Sequence, residues 1–298
     1  MVSEGRRDPM NFGGIWIPLV TPLREGRPDR AALARLVDHL AARGVAGFVA
    51  CGSTGEAAML DAEEQASVLA TTLGAARGLP VWMGLSGARP ERVAERAQQL
   101  ADGQEVAGFL LTAPAYVKPS QAGIAHFFET VATASPRPIM AYDIPARTGV
   151  RIEPATLLAL AAHPNIVALK DCSGDRAAAE ALLADGRLAL LAGNDDELFD
   201  QLARGAVGGI TASAQAAPAA FVELQRLLAD GHLRPARALW RRLQPLTRAL
   251  FAEPNPAPLK ALLAQQGWMD GELRPPMQPA SAHTLRAAEA AMERINRP

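Results

Sequence analysis

Short apolar runs alternate with longer amphipathic stretches along most of the chain, and no other feature limits the fold so strongly. The run 15–20 precedes a stretch from Asp29 in which Leu33, Leu36, Val37 and Leu40 share one helical face. The run 47–50 precedes a helix starting near Asp61, where Asp61 can cap and Glu64 suits the first turn. The order repeats as 81–84 with 91–100, 108–111 with 122–134, and 138–142 with a helix that has Pro154 in its first turn. It continues as 166–169 with 175–183, 188–192 with 195–203, and 208–210 with 218–229. The strand runs are continuously apolar, as expected where both faces of a parallel sheet are buried. Eight such units predict an α/β fold, a closed (β/α)8 TIM barrel. A doubly wound open sheet is the rival, and the count of eight favours closure. Three further helices, near 235–251, 258–266 and 282–296, follow without a low-complexity linker. The reading is a catalytic barrel over 10–230 with a C-terminal helical extension over 231–298 packed on it.

Thirty basic residues against 31 acidic ones leave a net charge of −1, which points to neither a nucleic acid nor an anionic membrane as partner. Two cysteines fit a reducing compartment rather than a disulfide framework. Residues 1–11 read as a loose polar leader. The first apolar run, 14–23, is interrupted by Pro18 and Pro22 and is too short to span a membrane. A cytoplasmic enzyme is expected.

In a barrel the site lies at the carboxyl ends of the strands. The second strand ends in Gly52-Ser53-Thr54-Gly55-Glu56, the fourth in Thr112-Ala113-Pro114-Ala115-Tyr116, the fifth in Tyr142 to Gly149, and the sixth in Lys170-Asp171. Of the 30 basic residues only Lys118, Lys170 and Lys260 are lysines, the other 27 being arginines, and Tyr116 and Tyr142 are the only tyrosines. Lysine can lose its proton when buried and act as a nucleophile, which arginine cannot. Lys170, directly after an apolar strand, is therefore a candidate imine-forming amine, or else a lysine snorkelling to water. Tyr142 and Tyr116 can relay protons or simply pack. Ser53 and Thr54 are relay hydroxyls or ordinary turn residues. Arg147 is a carboxylate clamp or a solvated surface arginine. Gly193 and the pair Gly208-Gly209 read as tight turns. The five histidines have no metal-ligand spacing, so no metal and no cofactor are expected. Cys51 and Cys172 read as small buried fillers.

These strings, together with Glu253-Pro254-Asn255-Pro256 and Lys260 and then Leu273-Arg274-Pro275-Pro276-Met277, resemble the dihydrodipicolinate synthase and N-acetylneuraminate lyase family from about Phe12 onward. The resemblance implies a pyruvate-dependent (β/α)8 enzyme. Lys170 would form a Schiff base with pyruvate and Tyr142 would assist proton transfer. Ser53 or Thr54 would join a relay with Tyr142 and Tyr116, the latter supplied by the neighbouring subunit. The carbonyl of Ile210 and the glycine at Gly193 would line the pocket. Arg147 would hold the carboxylate of the second substrate, which favours the synthase branch over the lyases. That branch condenses pyruvate with aspartate semialdehyde in lysine and diaminopimelate synthesis. Other pyruvate aldolases or dehydratases acting on different aldehydes are the runner-up, and a 2-oxo-acid-binding barrel without turnover is the non-enzymatic alternative. The family is typically a homotetramer, a dimer of dimers.

The chain departs from the usual synthase at Ser53, where threonine is common, at Ala115, where a tyrosine is usual, and at Asp143, in place of asparagine. Lysine-sensitive members bind lysine beside the Gly52 to Glu56 loop. Here the corresponding helix reads Ala62-Glu63-Glu64-Gln65, and Arg89 and Val93 follow the third strand. Insensitivity to lysine is expected, with Glu63 or Glu64 as the residues that could compensate.

Overall fold

The computed structural model describes residues 11–296, so the expected leader lies, apart from Asn11, outside the described residues. Eight parallel strands close into a barrel: β1 (Gly14–Pro18), β2 (Gly47–Ala50), β3 (Val81–Leu85), β4 (Gly108–Thr112), β5 (Ile139–Asp143), β6 (Ile166–Asp171), β7 (Ala189–Ala192) and β8 (Gly208–Ile210). Each pairs with its sequence neighbours, and β8 returns to β1. The (β/α)8 expectation holds.

The strands are sealed on both sides. Inward, Trp16, Val49, Trp82, Leu110, Met140, Ala168, Leu191 and Ile210 fill the lumen. Gly47 has to be glycine here: a Cβ would stand 2.3 Å from the Trp16 ring. Outward, the strands meet a ring of helices: α1 (Arg30–Ala41), α2 (Ala62–Ala75), α3 (Pro90–Ala101), α4 (Gln121–Ala134), α5 (Pro154–Leu160), α6 (Arg176–Asp185), α7 (Leu198–Arg204) and α8 (Pro218–Ala229). Helix α1 buries the predicted stripe of Leu33, Leu36, Val37 and Leu40. Asp29 caps it, accepting the Ala32 amide at 2.9 Å. Asp61 and Glu64 form a reciprocal capping box at the start of α2, a device whose cap is worth about 1 kcal/mol.

Two local departures from the sequence reading have physical causes. The strand expected to Val20 stops at Pro18, where the chain turns into a small hairpin pairing Leu23–Arg24 with Arg27–Pro28. The helix expected from Asp195 starts as a 3-10 turn, Asp195–Glu197, before α7. Asp195 cannot cap it, because its carboxylate accepts the amides of Ala212 at 3.1 Å and Ser213 at 2.6 Å after β8.

After the barrel come α9 (Leu233–Leu250), α10 (Ala257–Gln265) and α11 (Ala282–Asn296). Lys260 of α10 reaches back to the loop after β2, donating to Glu56 at 2.6 Å and to the Thr21 carbonyl at 2.9 Å. Arg274 pairs with Glu64 on α2 and donates to the carbonyls of Met59 and Gly26, both at 2.6 Å. The tail therefore clamps the carboxyl-terminal mouth of the barrel beside β2. Among the described residues, no helix is long and apolar enough to cross a membrane.

Candidate active site

Strand alternation sets which side chains enter the mouth. Tyr142 on β5 and Lys170 on β6 are register partners, both inward and both buried. The Lys170 Nζ sits 4.3 Å from the centre of the Tyr142 ring. Burial pushes the amine below its ordinary range, so it gives up its proton more readily than a surface lysine. Among the described residues, no carboxylate lies within ion-pair distance of Lys170 to hold it charged. Burial raises the Tyr142 phenol well above its usual range, so it stays protonated and able to donate.

The loop after β2 brings Ser53 within hydrogen-bond reach of that phenol. Thr54, buried, accepts from Asn255 Nδ2 at 3.0 Å. Cys172 points its thiol at the same phenol, Sγ donating across 3.8 Å. Burial pushes that thiol up to about 12, so it is no nucleophile at neutral pH. The filler reading of Cys51 also holds: it is buried, and burial pushes its thiol up to about 12.

A cavity of about 70 Å³ lies over these groups, lined by Ser53, Thr54, Tyr142, Arg147, Lys170, Gly193, Asp195, Ile210, Phe251 and Asn255 among others. It adjoins a second cavity of about 280 Å³ that shares Ser53, Tyr142, Arg147 and Asn255. The walls of the second are mostly apolar, with Met59, Leu85, Leu110, Ala115, Ile144 and Met277. A larger groove of about 810 Å³ opens at the other end of the barrel, around Phe12, Ile166 and Leu188, and holds neither a lysine nor a tyrosine.

Arg147 stands on a single helical turn, Pro145–Thr148, closed by Gly149 at φ +74°. Thr148 fastens that turn, its hydroxyl donating to the carbonyls of Ile144 at 3.1 Å and Val150 at 2.7 Å. Gly193 lies in the mouth, but the tight-turn reading is wrong for it. Its backbone is ordinary, and glycine is needed for space: a Cβ would come 2.4 Å from the Cys172 sulfur and 3.0 Å from Lys170 Cγ. At Gly208 the cause is again packing, since a Cβ would stand 2.4 Å from the Gly14 carbonyl.

Tyr116 is the candidate that does not join its own site. It is 95% exposed, at φ +71° in the loop after β4. Within one chain Lys170 therefore has one phenol beside it, not two. Two residues of the mouth escaped the reading. Asp195, fully buried, acts electrostatically on Lys170, and burial pushes its own carboxyl up. Asn255 belongs to one of the strings noted above, but no role was read for it. Among the described residues, no group of three His, Cys, Asp or Glu is placed to hold a metal ion.

The model of the family described as "Dihydrodipicolinate synthetase family" matches residues 11–295. The chain belongs to that family. A 4-hydroxy-tetrahydrodipicolinate synthase from Methanothrix thermoacetophila is 36% identical over 274 residues, 91% of this chain and 92% of that one. The structure of the corresponding synthase from Methylacidiphilum fumariolicum matches with a TM-score of 0.91 at 31% identity, covering 95% of each chain. A synthase variant described as monomeric matches with a TM-score of 0.91 at 30% identity, over 95% of this chain and 97% of that one. Family membership makes the chain one of a family of lyases and synthases.

Proposed function

We propose that the chain is a class I, Schiff-base enzyme that condenses pyruvate with L-aspartate 4-semialdehyde to give 4-hydroxy-tetrahydrodipicolinate. The observation that carries this is the desolvated Lys170 amine over the Tyr142 ring, with Arg147 on the rim of the same cavity. Lys170 Nζ attacks C2 of pyruvate and forms the C–N bond. The Tyr142 phenol protonates the departing oxygen, and water leaves as the imine forms. Loss of a proton from C3 gives the enamine. Its C3 attacks the aldehyde carbon, and the new alkoxide takes a proton. The amino group of the condensed product then displaces Lys170 from C2, closing the ring and freeing the enzyme. Ser53 or Thr54 carries protons to and from Tyr142, and Arg147 pairs with the carboxylate of the aldehyde substrate. Gly193 and the Ile210 carbonyl bound the pyruvate pocket.

A second reading has a specific basis. The apolar annex around Leu85, Leu110, Ala115 and Met277 suits an aldehyde with an apolar substituent. A panel of aldehydes, with products identified by mass, separates the two. Borohydride with pyruvate tests what they share: mass is expected to be added at Lys170, and labelling at Lys118 or Lys260 would sink the assignment. Product formation over many turnovers excludes a barrel that only binds 2-oxo acids. Full activity is expected after prolonged treatment with a chelator, because imine chemistry needs only the amine and the phenol. A cytoplasmic location follows from the same reading, since both substrates are intracellular metabolites.

Tyr116, turned to solvent, would serve a neighbouring copy in a dimer-of-dimers tetramer. Mixing Tyr116→Phe with Lys170→Arg protein is expected to restore activity that neither shows alone. No restoration, with the mixed assembly verified by mass, would overturn the shared-site arrangement.

A further inference from the structure

Asp143 closes β5 beside Tyr142, and strand alternation turns its side chain away from the lumen. It is buried there, facing the outer layer. Its Oδ1 accepts the amide of Ile152 at 3.2 Å, nine residues further on. Its carbonyl accepts the amide of Cys172 at 2.9 Å, two residues after Lys170. Asp143 thus touches both ends of the segment that carries Arg147, and the strand that carries the amine. Nothing in the reaction above uses it.

We propose that Asp143 is a positioning residue for Arg147, tying the far end of the Arg147 loop to β5 so that the guanidinium faces the cavity. The inference rests on the proposed role of Arg147 as carboxylate clamp. The tie has a built-in sensitivity. Asp171, its register partner on β6, faces Asp143 with a like charge, as does Asp175 at the start of α6. Arg151 opposes them from the loop itself, but it already pairs with Asp175 at 2.8 Å. Burial, with Asp171 adding to it, pushes the Asp143 carboxyl up from 3.8 to about 7. With the loop closed the group prefers its proton; with the loop open, water hydrates the carboxylate. The closed loop therefore loses ground as pH climbs from the ordinary carboxylate range towards 7, and the loss levels off above that.

The test measures the KM for aspartate semialdehyde, the probe, at saturating pyruvate across pH. In the wild type KM is expected to rise several-fold between about pH 5.5 and about pH 8. Asp143→Asn keeps an acceptor for the Ile152 amide and loses the charge, so its KM should stay level. Asp143→Leu removes the acceptor, so KM should be raised at every pH while borohydride trapping of pyruvate persists. Exchange of the 144–152 amides, corrected for the intrinsic effect of pH, is a second readout that needs no substrate. It is expected to quicken with pH in the wild type and not in Asp143→Asn. Identical pH profiles of exchange in the two proteins would overturn the pH sensitivity, and exchange in Asp143→Leu no faster than in the wild type would overturn the tie. If the profiles differ but aspartate semialdehyde is not turned over at any pH, the tie stands and the substrate reading fails.

Discussion

Lys170 and Lys260 are both buried, and their surroundings differ in one respect. Lys260 has an ionic partner, Glu56, and a carbonyl, Thr21, at hydrogen-bond distance. Lys170 has a phenol ring and a cavity. Burial drives both amines towards the neutral form; the Glu56 carboxylate opposes that drive at Lys260 from ion-pair distance, whereas at Lys170 Asp195 opposes it without an ion pair. A buried charge that is paired and hydrogen-bonded holds a structure together, whereas one left without a partner is available for chemistry. Under the proposed function, the same residue type serves the scaffold at one position and the reaction at the other.

The sharpest way to break this comparison is to change each lysine separately. Lys170→Arg is expected to abolish imine trapping altogether, read by intact mass, while the thermal midpoint stays close to wild type. Lys260→Met leaves Glu56 without its ionic partner in the interior, at a cost of about 3–5 kcal/mol seen in denaturant unfolding. Adding Glu56→Gln should recover part of that loss; no recovery would mean the pair is not the cause. Lys170→Met should instead stabilise the protein at neutral pH. The folded state lowers the amine below its ordinary 10.5, so it is penalised wherever the unfolded amine is charged. The advantage of the variant should therefore shrink as pH approaches 10.5.

On the proposed function, Arg147→Ala removes a charge-assisted contact to the second substrate. It should lower kcat/KM for the aldehyde by about 1.5–3 kcal/mol while pyruvate trapping survives. Equal loss of both steps would make Arg147 structural. Asn255→Ala takes the donor from Thr54 and should cost about 1 kcal/mol in kcat/KM. The smallest expected effect is none: millimolar lysine should leave the initial rate unchanged. Glu64, which could have compensated for the missing lysine ligands, is committed to Arg274 and to the Asp61 amide. A micromolar half-point would show that a lysine site survives.

How much of this was legible in the sequence depends on the range of the interaction. The eight strands could be read because burial on both faces leaves a continuous apolar run in the chain. Asp61 could be read as a cap because a cap acts on a residue three places away. Lys170 stood out by scarcity and by its place at a strand end. The role of Asp195 could not be read, because its partners, the Ala212 and Ser213 amides, lie 17 and 18 residues on. The Glu56–Lys260 contact spans 204 residues and leaves no local pattern. Gly193 was misread for a different reason: a sequence shows that a side chain is absent, but not whether conformation or space demands it.

The ties between the tail and the β2 loop also have a consequence for the order of synthesis. Thr54 and Asn255 are 201 residues apart, and Glu64 and Arg274 are 210 apart. All eight strands leave the ribosome before Asn255, Lys260 or Arg274 has been made. A nascent chain with its whole barrel exposed still lacks the Asn255 amide that holds its Thr54 hydroxyl. Contacts of such long sequence separation are slow to close. On the proposed function, catalytic competence arrives late, after the barrel has formed, and the stretch from Asn255 to Arg274 decides when the reaction can begin.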